Sequence, residues 1–435
     1  MINISQITSA LCVNKLEEKD MKKLIFVILV FTVLLGACQN RSSTGQTSGA
    51  SEGLSGTLVF WFGNIPVAEA LMEAFNVIHP NVTFEFERVG SQSRPMATLA
   101  GPAGTGPDVF SIPHDQSSMA IEDGILEPIP PSTHARLRGL IHESAMETIT
   151  RDGILYGIPY QTENIAFFYN KDIVSNPPSS FEEIIEFSRT WNDPANGRFA
   201  LRWPVNNPYF NYMFFTPFGF SVFGSTMDDY RNPGFDSSAM AQGLAFHSSL
   251  RQVQNMPAAD TSGGTPGTNA FMSGDAPFLI SGPWDIINIR NSGLNFGITR
   301  FPTINGVQPV CFSGVQLAVV SSYSKNFEAA FAFAEFLASE EAAYIYYSVG
   351  NFITALADIS RIPGLADDVY VQGILEQTPY TVPMPIIPEM SPFFTVMDET
   401  LMFAWDGQLT IPEAQARAMD SFEVLINVTG RSIFD

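Results

Sequence analysis

Residues 57–87 read TLVFWFGNIPVAEALMEAFNVIHPNVTFEFE, and this stretch decides the fold. Residues 57–62 are apolar and favour a strand, and apolar side chains then recur at helical spacing over 67–78. Over 82–87 apolar and polar residues alternate, which predicts a strand with one buried face. A strand, a helix and a strand in this order predict an α/β fold, in which helices cover a parallel or mixed sheet.

The rest of the chain repeats this alternation of strands and helices. Strands are predicted at 108–112, 165–169, 278–281 and 296–299, and helices at 181–190, 327–347 and 412–426. Ser180 and Glu183 form a capping-box pattern at the start of the first helix, and Pro412 suits the first turn of the last. In sheets of this kind, ligands bind beyond the carboxyl ends of the strands.

The composition limits the possible partners. The 435 residues include 44 acidic and 22 basic side chains, which give a formal net charge of −22. Lys171 and Lys325 are the only lysines after residue 38. Because so acidic a chain is repelled by phosphate backbones, no nucleic-acid partner is expected, and small ligands or proteins are expected instead. The length of the chain predicts two lobes rather than one.

The N-terminal region has the layout of an export signal. Two lysines precede an apolar run over 24–34, which is followed by the sequence LGAC at 35–38. This layout predicts a bacterial lipoprotein signal peptide over 21–37, cleaved before Cys38, whose thiol would then carry a lipid anchor. The alternative is a membrane-spanning helix, but such a helix needs about 20 apolar residues and this run is shorter.

The segments beside the signal are expected to lie outside the folded domain. Residues 1–20 are predicted to be a mis-assigned upstream start, and the polar residues 38–56 a flexible tether. With Cys12 in the upstream segment and Cys38 lipidated, Cys311 would have no partner for an intramolecular disulfide. The protein is therefore expected to be exported, lipid-anchored at the periplasmic or extracellular face of a bacterial membrane, and stabilised by packing.

Six motifs follow one another in an order that resembles one known family. They are GTGPDVF at 104–110, followed by His114 and Asp115; DGILYGIP at 152–159; YNKD at 169–172 with NPP at 176–178; NPYF at 207–210; AFMSG at 270–274, leading to SGPW at 281–284; and IPEMS at 387–391. With these motifs the chain resembles the family 1 extracellular solute-binding proteins of ABC transporters, the group of the maltose/maltodextrin-binding proteins, in their lipoprotein form. The resemblance covers 57–426.

The resemblance implies a type II periplasmic-binding-protein fold, with two lobes of mixed sheets flanked by helices and a hinge between them. The implied bounds are 57–161 plus 309–352 for the N-terminal lobe, 162–308 plus 353–435 for the C-terminal lobe, and crossings near 162–164, 303–308 and 353–355. The resemblance also implies a monomer that captures a sugar or oligosaccharide between its lobes and delivers it to permease subunits. No cofactor, metal or enzymatic activity is implied.

The resemblance further indicates which residues bind the sugar. Sugar rings stack on aromatic faces, and their hydroxyl groups need hydrogen-bond donors and acceptors. The family positions fall here on Tyr209, Trp284 and Phe394 for stacking and on Asp115, Glu163 and Asn207 for hydroxyl groups, with Asn64 in the first cleft loop.

Three of these side chains also have a purely structural interpretation. Trp284, which follows Gly-Pro at a strand end, could be a core residue. Asp115 could cap a helix beginning at Gln116, because aspartate is a favoured N-cap. Phe393 could take the cleft position in place of Phe394, since the two residues are adjacent and equally apolar.

Departures from the family pattern leave the identity of the sugar open. Gln116 and Asp398 stand where arginine is usual, and the loop at 63–66 lacks the family's lysine. An acidic cleft with few lysines could instead hold a cationic amine through cation–π contacts. The remaining alternatives are a tethered chemosensor of the same fold and a glycoside hydrolase using Asp115 and Glu163 as its carboxylate pair.

Overall fold

The computed structural model describes residues 53–90, 92–262 and 264–428. The strands are β1 (Ser55–Phe62), β2 (Asn81–Arg88), β3 (Val109–Pro113), β4 (Thr150–Arg151), β5 (Ile154–Leu155), β6 (Ile158–Asn164), β7 (Ala166–Asn170), β8 (Leu201–Arg202), β9 (Phe278–Ser281), β10 (Phe296–Thr299), β11 (Cys311–Val320), β12 (Ile353–Thr354) and β13 (Thr381–Pro383). The predicted upstream start, the signal peptide and Cys38 lie outside the described residues.

The helices of the described residues alternate with these strands, as the sequence predicts. They are α1 (Ile65–Ile78), α2 (Ser93–Ala100), α3 (Ser117–Glu122), α4 (Pro131–Leu137), α5 (Glu143–Glu147), α6 (Phe181–Trp191), α7 (Pro208–Asn211), α8 (Ser238–Ser249), α9 (Ala258–Thr261), α10 (Thr265–Met272), α11 (Ile286–Asn291), α12 (Phe327–Phe336), α13 (Glu340–Gly350), α14 (Val369–Leu375), α15 (Met390–Trp405) and α16 (Ile411–Asn427). Short 3₁₀ turns at His114–Gln116 and Pro283–Asp285 carry site residues.

The first strand–helix–strand unit forms as predicted. Asn64 caps α1, since its Oδ1 accepts a hydrogen bond from the backbone N–H of Val67 at 3.1 Å. The helix buries an apolar face that includes Leu71 and Phe75, and it ends before Pro80, which cannot continue the hydrogen-bonding pattern. The unit therefore places the end of β1 and the cap of α1 at the same edge of the sheet.

The larger of the two main sheets, the large sheet, has seven strands within the described residues, in the order β12-β6-β11-β3-β1-β2, with β13 paired to β11. Strand β1 runs parallel to β2 and β3, and β11 runs antiparallel to β3 and β6. The predicted mixed sheet is confirmed. The carboxyl ends of β1 and β3 lie at one edge of this sheet, where ligands bind in α/β proteins.

The small sheet has four strands in the described residues, in the order β10-β7-β9-β8. The chain passes to it between Asn164, the last residue of β6, and Ala166, the first of β7, and it returns between β10 and β11. The buried apolar residues form two separate clusters, each of which takes residues from both sheets, and Trp284 packs against both clusters. The architecture is the predicted two-lobed α/β fold with mixed sheets flanked by helices.

Two predicted segments differ from the structure. The single helix predicted over 327–347 is wrong, because α12 ends at Phe336 and α13 starts at Glu340. Ser339 between them has an extended backbone, and its hydroxyl accepts a hydrogen bond from Ala342 N–H at 3.1 Å, so it caps a new helix. Strand β1 begins at Ser55, two residues inside the predicted tether, where the Asn326 amide donates to the Ser55 carbonyl at 2.9 Å.

Cys311 is the one cysteine within the described ranges, where it is buried and free of any disulfide. Among the described residues, no helix combines the length and the apolar character that crossing a membrane requires.

Candidate functional site

Two adjoining cavities lie between the large and the small sheet. The loop cavity, about 470 Å³, is lined by Phe62 and Asn64 at the end of β1 and by Gln161 of β6. The acidic cavity, about 600 Å³, is lined by residues of the large sheet, of α7 and of α15, including Asp115, Tyr209 and Asp398. Pro113, Glu163, Trp284 and Gln316 line both, so the two cavities form one cleft.

The cleft brings together the residues that the resemblance indicated. Asp115, Asn207, Tyr209 and Phe394 line the acidic cavity, Asn64 lines the loop cavity, and Glu163 and Trp284 line both. They come from elements more than three hundred positions apart along the chain, so only the fold places them around one space. Cys38, the predicted lipidation site, is outside the described residues.

Trp284 is held in place by the turn that follows β9. The Asp285 carboxylate accepts hydrogen bonds from the hydroxyls of Ser281, at 2.5 Å, and Thr268, at 2.8 Å, which fixes this turn. The Trp284 ring is half-buried rather than a closed core residue. Its centroid lies 6.1 Å from that of Phe210 and 6.5 Å from that of Tyr209. Trp284 and Tyr209, which both line the acidic cavity, form an aromatic wall of the cleft.

Tyr209 and Asn207 occupy the first turn of α7. The Asn207 Oδ1 accepts a hydrogen bond from Tyr209 N–H at 3.0 Å, so Asn207 is the N-cap of α7 as well as a lining residue. Asn64 is likewise both the N-cap of α1 and a lining residue of the loop cavity. The hydroxyl of Tyr209 is buried and has no hydrogen-bond partner in the described residues, which is unusual for a polar atom in a folded protein.

Phe394 and Phe393 point in different directions from α15. Phe393 is buried, and its ring centroid lies 5.0 Å from that of Phe235 in the core of the small-sheet lobe. Phe394 is half-buried and lines the acidic cavity. Of the two candidates, the structure therefore places Phe394 at the cleft.

Glu163, on β6, is hydrogen-bonded by two amide side chains. Its Oε1 accepts from Gln316 Nε2 at 2.9 Å and its Oε2 from Gln161 Nε2 at 3.1 Å. Burial raises the pKa of Glu163 to about 7, against the opposing effect of the Gln316 hydrogen bond, and the charge of Asp115 raises it further. Gly314 on β11 makes room for this carboxyl group, because a Cβ there would lie 3.1 Å from Oε1.

Asp115 does not cap a helix. It lies in the turn before α3, which begins at Ser117 and has Gln116 as its N-cap. The side chain is only 9% exposed, its Oδ1 has no hydrogen-bond partner among the described residues, and burial raises its pKa to about 6. A buried acceptor facing a cavity without a partner is unfavourable unless a ligand supplies a donor.

His114 fixes the position of Asp115. Its Nδ1 lies 3.1 Å from Val315 N and its Nε2 lies 3.1 Å from the Met384 carbonyl. The backbone N–H of Val315 can only donate, so Nδ1 of His114 accepts this hydrogen bond. Nε2 of His114 therefore carries the ring proton and donates a hydrogen bond to the Met384 carbonyl. Burial lowers the pKa of His114 to about 4, so the ring is neutral and joins three segments at the edge of the acidic cavity.

Sequence reasoning missed several residues of the cleft. Gln316 has no local signal, because it lies within an apolar strand. Asp398 was noted only as a departure from the family pattern, yet it lies one helical turn after Phe394 on the same face of α15, a spacing that could have identified it. Its carboxylate accepts hydrogen bonds from Asn206 Nδ2 at 3.1 and 3.2 Å.

The chemistry of the cleft suits a ligand with apolar faces and many donors. Aromatic rings provide stacking surfaces, and carboxylates and amides provide acceptors around them. In the described part of the chain, no group of three or more His, Cys, Asp or Glu side chains could hold a metal ion.

Comparison with known proteins identifies relatives over most of the chain. The sequence profile of the bacterial extracellular solute-binding proteins matches residues 70–372. A galactooligosaccharide-binding protein of Bacillus subtilis is 29% identical over 335 residues, which are 74% of this chain and 78% of that protein. A maltotriose-binding protein of Pyrococcus abyssi is 29% identical over 345 residues, 77% of this chain and 74% of that protein.

Two further comparisons concern a lipoprotein and a solved structure. A maltooligosaccharide ABC transporter solute-binding lipoprotein of Streptococcus pneumoniae is 25% identical over 337 residues, 75% of this chain and 78% of that protein. The crystal structure of a cyclo/maltodextrin-binding protein complexed with maltotetraose matches with a TM-score of 0.69 and 27% identity. This match covers 87% of the present chain and 99% of that chain.

Proposed function

Since this chain belongs to the bacterial extracellular solute-binding protein family, we propose that it captures a sugar or oligosaccharide in its cleft and delivers it to an ABC importer. Family membership confirms the prediction that the chain is a binding protein rather than an enzyme, so Asp115 and Glu163 need no hydrolytic role. The coarse function, binding of an extracellular solute, follows from the family alone.

The observation that carries the sugar assignment is the aromatic wall facing the carboxyl groups. Trp284 and Tyr209 provide ring faces from the small-sheet side, and Glu163 and Asp115 provide acceptors from the large-sheet side. A sugar placed between them would stack one apolar face and donate its hydroxyl protons to the other side. The relatives named for galactooligosaccharide and maltotriose support this ligand class.

Ligand capture would draw the two lobes together. The proposed lobes are 57–161 plus 309–352 and 162–308 plus 353–435, with hinge motion at the crossings between them. Because Glu163 and Trp284 reach the cleft from different sheets, a ligand that contacts both stabilises the closed form. The permease would then recognise closure rather than the sugar itself.

The anchoring and the partner are also proposals. Cleavage before Cys38 and lipidation of its thiol would hold the binding domain at the membrane as a monomer on the polar tether. The pneumococcal relative, named as a lipoprotein of an ABC transporter, supports both the anchor and the permease partner. A tethered chemosensor would use the same closure and differs only in the membrane protein that reads it.

A thermal-shift screen of the purified full chain tests the ligand class. The panel contains glucose, galactose and their oligosaccharides of two to five units, including maltose, with amino acids as the control. A ligand that binds only the folded state raises the melting temperature with the logarithm of its concentration. A concentration-dependent shift with one oligosaccharide class is expected. A shift with an amino acid and with no sugar would overturn the assignment.

A further inference from the structure

The acidic cavity has an unbalanced set of charges. Its walls include Asp115, Glu163, Asp398 and Glu399, and none of its described lining residues is a lysine, arginine or histidine. With a neutral ligand, closure would separate these carboxyl groups from water without any compensating positive charge, so each would either stay charged at a cost or take up a proton. The cavity therefore has the electrostatics of a site for a cation.

The surrounding protein supplies an ion-pair partner to one of the four carboxyl groups. Within the described residues, Glu399 has an ion pair, at 3.5 Å with Arg417, and both side chains are about half-exposed. Asp398 is hydrogen-bonded by the neutral amide of Asn206, and Glu163 by two glutamine amides. Two of the four carboxyl groups, Asp398 and Glu163, are thus balanced by neutral donors only.

Arg94 is a basic group whose charge acts on Asp115, and it is engaged elsewhere. Its charge lowers the pKa of Asp115, but burial outweighs this effect and the net shift is upward. The Arg94 Nη1 instead donates to Asp123 Oδ2 at 2.8 Å, in an ion pair outside the acidic cavity. Arg94 therefore does not neutralise the cleft.

One carboxyl oxygen is independent evidence for a ligand in this cavity. Within the part of the chain that the structure describes, Oδ1 of Asp115 is buried without a hydrogen-bond partner, on a side chain that is only 9% exposed and lines the acidic cavity. The hydroxyl of Tyr209, which lines the same cavity, also has no partner in the described ranges. A protonated amine has three N–H donors and no acceptor, so it can satisfy several acceptors at once.

Aromatic rings complete the site. Trp284, Tyr209 and Phe394 line the same cavity as the carboxyl groups. The face of an aromatic ring attracts cations, and it also stacks on the apolar face of a sugar. An aromatic residue in this cavity can therefore contact either part of a positively charged sugar. An ammonium group on a sugar ring could lie against the carboxyl groups while the ring itself stacks.

We propose that the ligand is an oligosaccharide with a free amino group on at least one ring, and that its ammonium group binds among Asp115, Glu163 and Asp398. This inference rests on the proposed function and narrows its substrate class to amino sugars. Neutral sugars bind the same cleft more weakly, because they leave the carboxyl groups uncompensated. The loop cavity, which has Glu163 as its one carboxyl lining residue among those described, holds a neutral ring.

Calorimetric titration of the full chain compares matched sugars. The probes are glucosamine and galactosamine oligomers of two to four units, their N-acetylated forms, and neutral glucose and galactose oligomers of the same lengths, with spermidine as a cation without a sugar. The free-amine form is expected to bind at least tenfold more tightly than its N-acetylated form. Added salt should reduce this ratio, since screening weakens charge interactions.

Variants link the preference to the cavity. Asp115→Asn and, independently, Asp398→Asn should each reduce the ratio of amino to N-acetyl affinity several-fold. Asp420→Asn is the matched control, because Asp420 is exposed on α16 and should leave the ratio unchanged. A thermal melt of each variant shows whether it is folded, and the two cavity variants provide independent tests.

The possible outcomes distinguish a failure of the amino-sugar assignment from a failure of sugar capture itself. Equal affinity for free-amine and N-acetylated or neutral oligosaccharides overturns the amino-sugar assignment and leaves sugar capture standing. Spermidine binding without any oligosaccharide binding overturns both. If the ratio of amino to N-acetyl affinity is unchanged in both Asp115→Asn and Asp398→Asn, the placement of the ammonium group in the acidic cavity is overturned.

Discussion

Gly282 and Trp284 are packed so closely that a Cβ atom on Gly282 would lie 2.3 Å from Cη2 of the Trp284 ring. The indole folds back over the glycine two residues before it, at the end of β9. Real Cβ atoms do not approach another heavy atom so closely, so only glycine at 282 permits this ring position. The aromatic wall of the cleft therefore depends on a residue with no side chain.

Gly282→Ala should weaken ligand binding without unfolding the protein. The added methyl group displaces the Trp284 ring from the cleft, so the variant should lose about the same affinity as Trp284→Ala. That loss is about 1 kcal/mol or more, roughly fivefold or greater. Calorimetric titration with the bound oligosaccharide measures the loss, and tryptophan fluorescence reports the ring displacement. Wild-type affinity in Trp284→Ala, or in Gly282→Ala with a displaced ring, would place Trp284 outside the site.

Phe393→Ala and Phe394→Ala form a matched pair on adjacent residues. Phe393 is a core residue, so its truncation should lower the free energy of unfolding by about 3–5 kcal/mol. Phe394 lines the acidic cavity, so its truncation should cost much less stability and reduce ligand affinity. Urea unfolding and calorimetric titration separate the two effects. A reversed order, with Phe394→Ala the less stable variant, would contradict the assignment.

Glu163 should make stability depend on pH. Its pKa is about 7 in the folded state against an ordinary value of 4.5, so between these values the folded state binds more protons than the unfolded state. Stability then rises as pH falls through this window and is lost as pH rises through 7. From about pH 8 to about pH 5, wild type should gain about 2 kcal/mol relative to Glu163→Gln.

Urea unfolding of both proteins at each pH measures this difference. His114 and His247, whose pKa values burial lowers to about 4, act in the opposite direction, since they lose stability as pH falls below 6.5. They are present in both proteins, so their contribution cancels in the comparison. Parallel stability curves for wild type and Glu163→Gln would show that burial does not perturb this carboxyl group.

Cys38→Ser should release the protein from membranes. Without the thiol no lipid can be attached, and the short apolar run over 24–34 cannot span a bilayer. Fractionation of cells that express wild type and variant measures the change. Cys311→Ser is the matched control, because Cys311 is buried in the folded domain and its variant should remain membrane-bound if it folds. A membrane-bound Cys38→Ser protein would contradict the anchor.

Periodic signals in the sequence were enough to predict most of the fold. The alternation at 82–87 and the helical spacing at 67–78 each reflect one buried face, and both elements form. The helix predicted over 327–347 failed because its apolar spacing continues through the break. Only Ser339, whose hydroxyl offers the cap of a second helix, marks the interruption.

The site was less accessible to sequence reasoning. Residue types and motif order indicated Trp284 and Asp115, but the unpartnered oxygen of Asp115 depends on burial by distant segments. Gln316 reaches Glu163 only because β11 pairs with β6 across more than a hundred and forty positions. The close packing of Gly282 against Trp284 depends on a side-chain rotamer, which no pattern of residue types specifies.

Calorimetric titration of the purified full chain with the oligosaccharides of the thermal-shift panel is the most direct test of sugar capture. The account predicts saturable binding of one sugar class with one site per chain, and a loss of roughly fivefold or more in affinity in Trp284→Ala. Absence of saturable heat with every oligosaccharide, amino or neutral, would contradict the account.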